Sequence, residues 1–155
     1  MLEACVRLVC PLIMPVYGFY IIKRITSSNV KILNIKSILG IVLLYIMTLI
    51  LYEAEYTGIN TITIFALQII VYKEIFDIKI EESLLACGML MILTIFCDAI
   101  SSLILRSIYT FEEIRTSWYL SFVGNILVAI FSTIIIRIKF VINLFKNFYE
   151  NVSKR

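Results

Sequence analysis

Long apolar blocks alternate with short polar segments along this chain. An α-helix needs roughly 18 to 20 apolar residues to cross a bilayer, and five blocks reach or approach this length. These blocks predict transmembrane helices at about 2–22, 38–52, 59–76, 83–105 and 118–138. The pattern therefore predicts an all-α, polytopic integral membrane protein with a five-span domain over residues 1–138 and a C-terminal amphipathic tail over residues 139–155.

Two of these blocks have features of their own. Pro11 and Pro15 lie inside the first block, where they remove backbone donors and predict a kink. The third block is short, and three arrangements stay open: a tilted span, a partly buried one, or one that extends to Phe76 with Lys73 snorkelling towards the headgroups.

Basic residues indicate the orientation, because Lys and Arg accumulate in cytoplasmic loops. With the N-terminus outside and the C-terminus cytoplasmic, 11 of the 14 basic residues lie inside. Arg7, Arg106 and Arg115 stay outside. The distribution predicts a multi-pass protein of the cell membrane. The inside set is Lys23, Arg24, Lys31, Lys36, Lys73, Lys79, Arg137, Lys139, Lys146, Lys154 and Arg155.

Composition excludes several classes of function. A chain of 155 residues that is 61% hydrophobic and 16% charged lacks the polar surface of a soluble domain. No histidine is present, which excludes Ser-His-Asp and Cys-His catalysis, and no nucleotide-binding motif appears. We expect no catalytic residue, metal, cofactor or nucleic-acid partner in this chain; a role other than catalysis is favoured, and an enzymatic role stays open. The four cysteines, interpreted as packing residues, are Cys5, Cys10, Cys87 and Cys97.

Four predicted spans each carry one strongly polar side chain at similar depth. These are Arg7, Gln68, Asp98 and Asn125, about 7 to 13 Å below the outer boundary. Such groups inside a bilayer favour a functional site, here a polar pocket that opens outward and binds a ligand. The alternative, interhelical hydrogen bonding, stays open. Asp98 and Asn125, at about equal depth on consecutive spans, are expected to face each other.

Acidic residues lie where the chain leaves the membrane on the predicted outer side. They are Glu53, Glu55, Glu112 and Glu113. One interpretation makes them an outer rim that contacts the ligand, and the other makes them solvated loop ends.

The tail carries apolar residues at the 4, 3, 4 spacing of a heptad. They are Val141, Phe145, Phe148 and Val152. Two interpretations remain: a coupling helix that pairs with a partner, or a basic amphipathic helix on the inner leaflet, which is favoured.

Three segments together resemble the membrane sensor region of Agr-type (GHKL) peptide-receptor histidine kinases of low-GC Gram-positive bacteria. The segments are KEIFDIKIEESL (73–84), FCDAISSLI (96–104) and WYLSFVGNIL (118–127). The resemblance implies a receptor that detects a secreted autoinducer peptide in quorum sensing and signals through a two-component system. This chain departs from the family because it carries neither a phosphoacceptor histidine nor an ATP-binding motif.

The resemblance implies that the signal passes to a cytoplasmic kinase domain or to a homodimer partner. Three interpretations of the chain fit this resemblance: the sensor portion of such a kinase, the product of a truncated gene, or a stand-alone relative. Two other functions stay open: a small membrane subunit of a transporter, and an interaction protein of the bacteriocin-immunity or assembly type.

Overall fold

The computed structural model describes residues 2–52 and 57–153, and this part of the chain contains helices and no strand. The all-α prediction is therefore confirmed, and each predicted span falls on one helix. A short additional helix, α5, forms in the connector before the fifth predicted span. The helices are α1 (Leu2–Ile25), α2 (Ile35–Tyr52), α3 (Thr57–Phe76), α4 (Ile80–Arg106), α5 (Phe111–Thr116), α6 (Trp118–Ile135) and α7 (Lys139–Ser153).

Three stretches of the described chain are long and apolar enough to cross a membrane, two fewer than the sequence predicts. They are Leu8–Ile25 in α1, Ile80–Arg106 and Trp118–Ile135. The apolar part of α2, Ile35–Leu51, is shorter. The described part of α3 does not qualify, and the charges of Lys73 and Glu74 lie in its last turn.

The five long helices form a bundle in which each packs against the next. The order around the bundle is α1, α2, α3, α4, α6 and back to α1, and α1 also contacts α3 and α4. Neighbours are held by side-chain bonds to backbone: the Tyr45 hydroxyl donates to the Leu8 carbonyl oxygen (2.9 Å), and the Ser83 hydroxyl donates to that of Ile69 (2.6 Å). The short helix α5 packs on α4 and α6 at one end, and α7 packs on α1 and α4 at the other.

The densest packing lies at the α7 end of the bundle. Tyr72 is fully buried there, and its hydroxyl donates to the Pro15 carbonyl oxygen at 3.2 Å. The rings of Phe19 and Phe76 stack with their centroids 5.2 Å apart. Gly18 makes room for Tyr72, because a Cβ atom at this glycine would lie 2.7 Å from the Tyr72 hydroxyl oxygen. Helices α1 and α3 thus approach each other closely around one aromatic side chain.

Helix α1 continues through both of its prolines. A proline inside a helix opens the preceding turn and leaves carbonyl groups without their usual donors. The carbonyl that loses its donor to Pro11 is that of Arg7, four residues earlier. The next carbonyl, that of Leu8, accepts the hydrogen bond of Tyr45 described above, so α2 contacts α1 in the turn before the proline.

Two glycines provide a matched test of this packing. We predict that Gly18→Ala destabilises the bundle by about 1–3 kcal/mol, because the buried, hydrogen-bonded Tyr72 cannot move aside freely. Gly88→Ala should be neutral or stabilising by about 0.5–1 kcal/mol, since nothing lies within 4 Å of its added methyl group. Unfolding of both variants in mixed detergent micelles, followed by circular dichroism, measures the difference. Equal stabilities would contradict the close approach of α1 and α3.

Candidate functional site

A polar cleft lies between α4 and α6 near the α5 end of the bundle. We call this cavity of about 260 Å³ the α4–α6 cleft. Its α4 wall presents Asp98, Ser101 and Ser102, which lie three and four residues apart and therefore share one helix face. Its α6 wall includes Ser121 and Asn125, and Ile114 of α5 also lines it. The small side chains on both walls leave space between the helices.

Asp98 and Asn125 therefore line one cavity, as the sequence suggested, although they are not joined by a hydrogen bond. The Asn125 amide nitrogen donates to the Ser121 carbonyl oxygen at 2.9 Å and to the Cys10 sulfur at 3.2 Å. The Asp98 side chain is exposed, and no described residue hydrogen-bonds to it. Asn125 is thus held in place by α1, while the Asp98 carboxylate is available to accept hydrogen bonds from a ligand.

Of the other two predicted pocket residues, Gln68 does not line this cleft, and the side chain of Arg7 is not described. Gln68 is buried on α3 and lines a separate cavity of about 210 Å³ between α3 and α4, together with Thr61 and Thr94. Arg7 lies within α1, and its side chain is outside the described part of the structure. The four polar residues of the sequence prediction thus do not form a single described pocket.

Several polar contacts of the bundle were missed by the sequence reasoning. The serines of the cleft are not among the predicted pocket residues, because the prediction rests on charged and amide side chains. Ser101 and Ser102 lie three and four residues after Asp98, a spacing that places them on the same helix face and could have identified them. Tyr17 and Thr94, whose hydroxyl oxygens are 3.0 Å apart, join α1 to α4, and no spacing rule pairs them.

The predicted outer rim is described only in part. Glu53 and Glu55 lie outside the described residues, whereas Glu112 and Glu113 are exposed on α5. Glu113 has a local structural role, because its carboxylate accepts from the Thr110 backbone amide (2.8 Å) and hydroxyl (2.9 Å). These bonds lower the pKa of Glu113 and cap the first turn of α5.

The packed face of α7 shares Phe145 with the predicted stripe and otherwise uses the residues that follow Val141 and Phe148. Phe145 and Ile142 pack against the core, and Tyr149 is buried in it, whereas Phe148 is exposed. Val141 is half-buried, and the side chain of Val152 lies outside the described residues. The apolar arc of α7 is wider than a heptad stripe, so one part faces the bundle and the other part faces outward.

One contact joins α7 to the start of α4. The Glu82 carboxylate accepts from the Lys79 backbone amide at 3.1 Å and forms a hydrogen bond with the Tyr149 side chain. Burial, together with the Glu82 charge, raises the pKa of Tyr149 to about 12. The hydroxyl stays protonated at neutral pH and can donate to Glu82.

No group of three or more residues suited to hold a metal ion occurs in residues 2–52 and 57–153. Cys87 and Cys97 are buried, and Cys10 is half-buried at the α1–α6 contact. The cleft offers one carboxylate, one amide and several hydroxyls, a set that can hydrogen-bond a polar or cationic ligand.

Comparisons with protein-family models, with curated proteins and with solved structures found no match for this chain.

The capping of α5 predicts a pH effect. Since the folded-state pKa of Glu113 is lowered from its ordinary value of 4.5, its stabilisation of α5 is present above that value. It is lost as the pH falls through the folded-state value. At neutral pH, Glu113→Gln should speed hydrogen exchange of the α5 amides, and well below the ordinary pKa this difference should disappear.

Glu112→Gln is the matched control, because Glu112 is equally exposed and its side chain makes no bond to Thr110. If both variants exchanged alike at neutral pH, Glu113 would not cap this helix.

Proposed function

We propose that the chain is a membrane-embedded sensory module of the cell membrane with five spans, an external N-terminus and a cytoplasmic C-terminus. The strong bias of basic residues supports the orientation, because α1 and α3 both have basic residues in their last turns, at the α7 end. The α5 end then faces outward.

Inclusion of α2 and α3 as spans is supported by their position in the bundle. Helix α2 packs between α1 and α3, and its outward face is apolar, with Leu39, Leu43, Ile46 and Ile50 all exposed. Helix α3 packs between α2 and α4. If α1, α4 and α6 cross a bilayer, α2 and α3 therefore lie in it as well, because they pack between α1 and α4.

The observation that carries the sensory proposal is that α4 connects the cleft to the tail. Near one end α4 contributes Asp98, Ser101 and Ser102 to the α4–α6 cleft. At its other end Glu82 bonds to Tyr149 of α7. A ligand that changes the spacing of α4 and α6 would therefore act on a helix that also holds the tail. In this proposal Asp98 and Asn125 contact the ligand, and α7 passes the change to a cytoplasmic partner.

The resemblance to Agr-type receptor kinases supports a secreted peptide as the ligand and a kinase domain as the partner. The cleft chemistry agrees with a peptide, because the Asp98 carboxylate can accept from peptide amides or a terminal amine and the serine hydroxyls can accept or donate. A transporter is less well supported, since the α7 end is filled by Ile21, Ile22, Tyr72 and Leu90. This apolar packing leaves no polar path through the described residues at this end of the bundle.

The orientation predicts which positions react with a membrane-impermeant maleimide on intact cells. In a background without the native cysteines, Thr110→Cys should be labelled directly, because it precedes α5 on the outer side. Asn29→Cys, exposed in the loop after α1, should be labelled only after the membrane is permeabilised. The reverse pattern would contradict the orientation, and labelling of both positions in intact cells would contradict the alternation of spans.

The sensory proposal predicts linked signals at the two ends of the bundle. Trp118, the sole tryptophan, begins α6 beside the cleft, and a dye at Asn147→Cys, in the same cysteine-free background, reports on α7. Conditioned medium from cells that carry the gene should change both signals in reconstituted protein. Asp98→Asn should raise the required concentration about tenfold, because a hydrogen bond to a charged acceptor becomes one to a neutral acceptor.

Variants of α7 separate binding from transmission. Phe145→Glu, on the packed face, should abolish the dye response and keep the Trp118 response. Phe148→Glu, on the exposed face, is the matched control and should keep both. If medium changed neither signal in the unaltered chain, the sensory function would be refuted. A dye response that survived in Phe145→Glu would exclude transmission through the packed face of α7.

A further inference from the structure

Three cations line a cleft at the α7 end of the bundle. This basic cleft, with a volume of about 320 Å³, is formed by Lys23 and Arg24 at the end of α1, Lys146 on α7, and the hydroxyl-bearing Tyr20, Ser27 and Ser28. No carboxylate is among the described residues that line it. Glu150 lies one turn beyond Lys146 on α7 and does not line the cleft.

A second pair of bonds concentrates positive charge beside this cleft. The Arg24 and Arg137 Nε atoms both lie 3.3 Å from the Tyr20 hydroxyl oxygen, so two guanidinium groups converge on one neutral atom. Like charges held this close repel each other. An anion in the cleft would offset that repulsion and use the hydrogen-bonding capacity of the lysines and the arginine.

An apolar groove of about 550 Å³ between α1 and α6 ends at the same tyrosine. It is lined on the α1 side by Val9, Leu12 and Val16 and on the α6 side by Ala129 and Thr133. At the α7 end of the bundle the groove is closed by Tyr20 and Arg137. From Val9 to Tyr20 the groove follows α1 for about 16 Å, close to the roughly 15 Å of hydrocarbon in one leaflet. Tyr20 therefore lines both an apolar groove of acyl-chain length and a cationic cleft.

We propose that the basic cleft and the groove together bind one anionic phospholipid of the inner leaflet. Its phosphate lies against Lys23, Arg24 and Lys146, and one acyl chain lies between α1 and α6. The absence of a carboxylate in the described lining disfavours a zwitterionic headgroup, whose ammonium would meet three cations. The groove favours a lipid over free phosphate. The inference rests on the proposed membrane orientation and goes beyond the proposed sensory function.

Such a lipid would join two parts of the molecule that the sensory proposal requires to communicate. Lys23 and Arg24 belong to α1, whereas Lys146 belongs to α7. The phosphate would therefore add a contact between the tail and the bundle to that of Tyr149 with Glu82.

The test uses the full chain in phosphatidylcholine vesicles that contain traces of spin-labelled phosphatidylglycerol or phosphatidylcholine. The immobilised fraction of each label gives the preference of the protein for the anionic lipid. Arg24→Gln and Lys146→Gln should each lower this preference about fivefold, because each removes one charge-assisted contact with the bound phosphate. Lys31→Gln removes the same charge from an exposed position outside the cleft and should change it little. Equal effects of all three substitutions would show general surface attraction and overturn the proposal.

A second comparison tests the acyl chain. Ala129→Leu fills the groove and should also reduce the preference, whereas Ala99→Leu adds the same bulk at an exposed position of α4 and should not. Circular dichroism establishes that both variants keep their helices. Inorganic phosphate in excess should not displace the lipid. Displacement by phosphate, together with an unaffected Ala129→Leu variant, would identify a free-phosphate site and overturn the assignment to a lipid.

Failure of this inference is distinguishable from failure of the proposed function. A chain that resists alkaline extraction from the vesicles and shows no anionic preference refutes the lipid site alone, because no external ligand takes part in the assay. A chain that is extracted refutes the membrane placement and the lipid site together.

Discussion

The hydrogen bond from Tyr72 to the Pro15 carbonyl oxygen is the contact on which the arrangement of this bundle depends. A buried tyrosine hydroxyl without a partner is strongly destabilising, so this bond determines how α3 lies against α1. Gly18 permits the approach, and Leu90 of α4 lies close to the same glycine. Three helices thus meet around one ring, and the surrounding aliphatic side chains fill the remaining space. Among the residues that the structure describes, the opposite end has no comparable anchor, and the polar cleft forms there.

Helical structure and helix positions follow from the apolar blocks, because a block of this length has few alternatives to a helix in apolar surroundings. The capping of α5 was also readable in principle, since Thr110 and Glu113 have the spacing of a capping box. Which helices neighbour each other does not follow from hydropathy. Asn125 shows this: its depth could be predicted, but its bond to Cys10 depends on α1 packing against α6.

The tail illustrates a different limit of sequence reasoning. A heptad spacing selects a narrow stripe, and Phe148 fits that stripe as well as Phe145 does. The structure instead buries Tyr149, whose hydroxyl contacts Glu82 at the start of α4. A pairing between residues 67 positions apart in the chain has no local signature. The basic cleft depends in the same way on a long-range contact, because α7 places Lys146 beside the end of α1. The sequence predicted the bias of positive charge towards this side and did not predict the cleft.

The unequal lengths of α4 and α6 would have a consequence for the surrounding lipid in the proposed membrane placement. At 1.5 Å per residue, the 27 residues of α4 extend for about 40 Å and the 18 residues of α6 for about 27 Å. The two helices pack against each other, so a bilayer of uniform thickness would not match both at once. Lipids beside α6 would thin, or α4 would tilt or emerge from the hydrocarbon. The protein would therefore sit in an asymmetric lipid annulus, and changes in bilayer thickness would bear on its helices unequally.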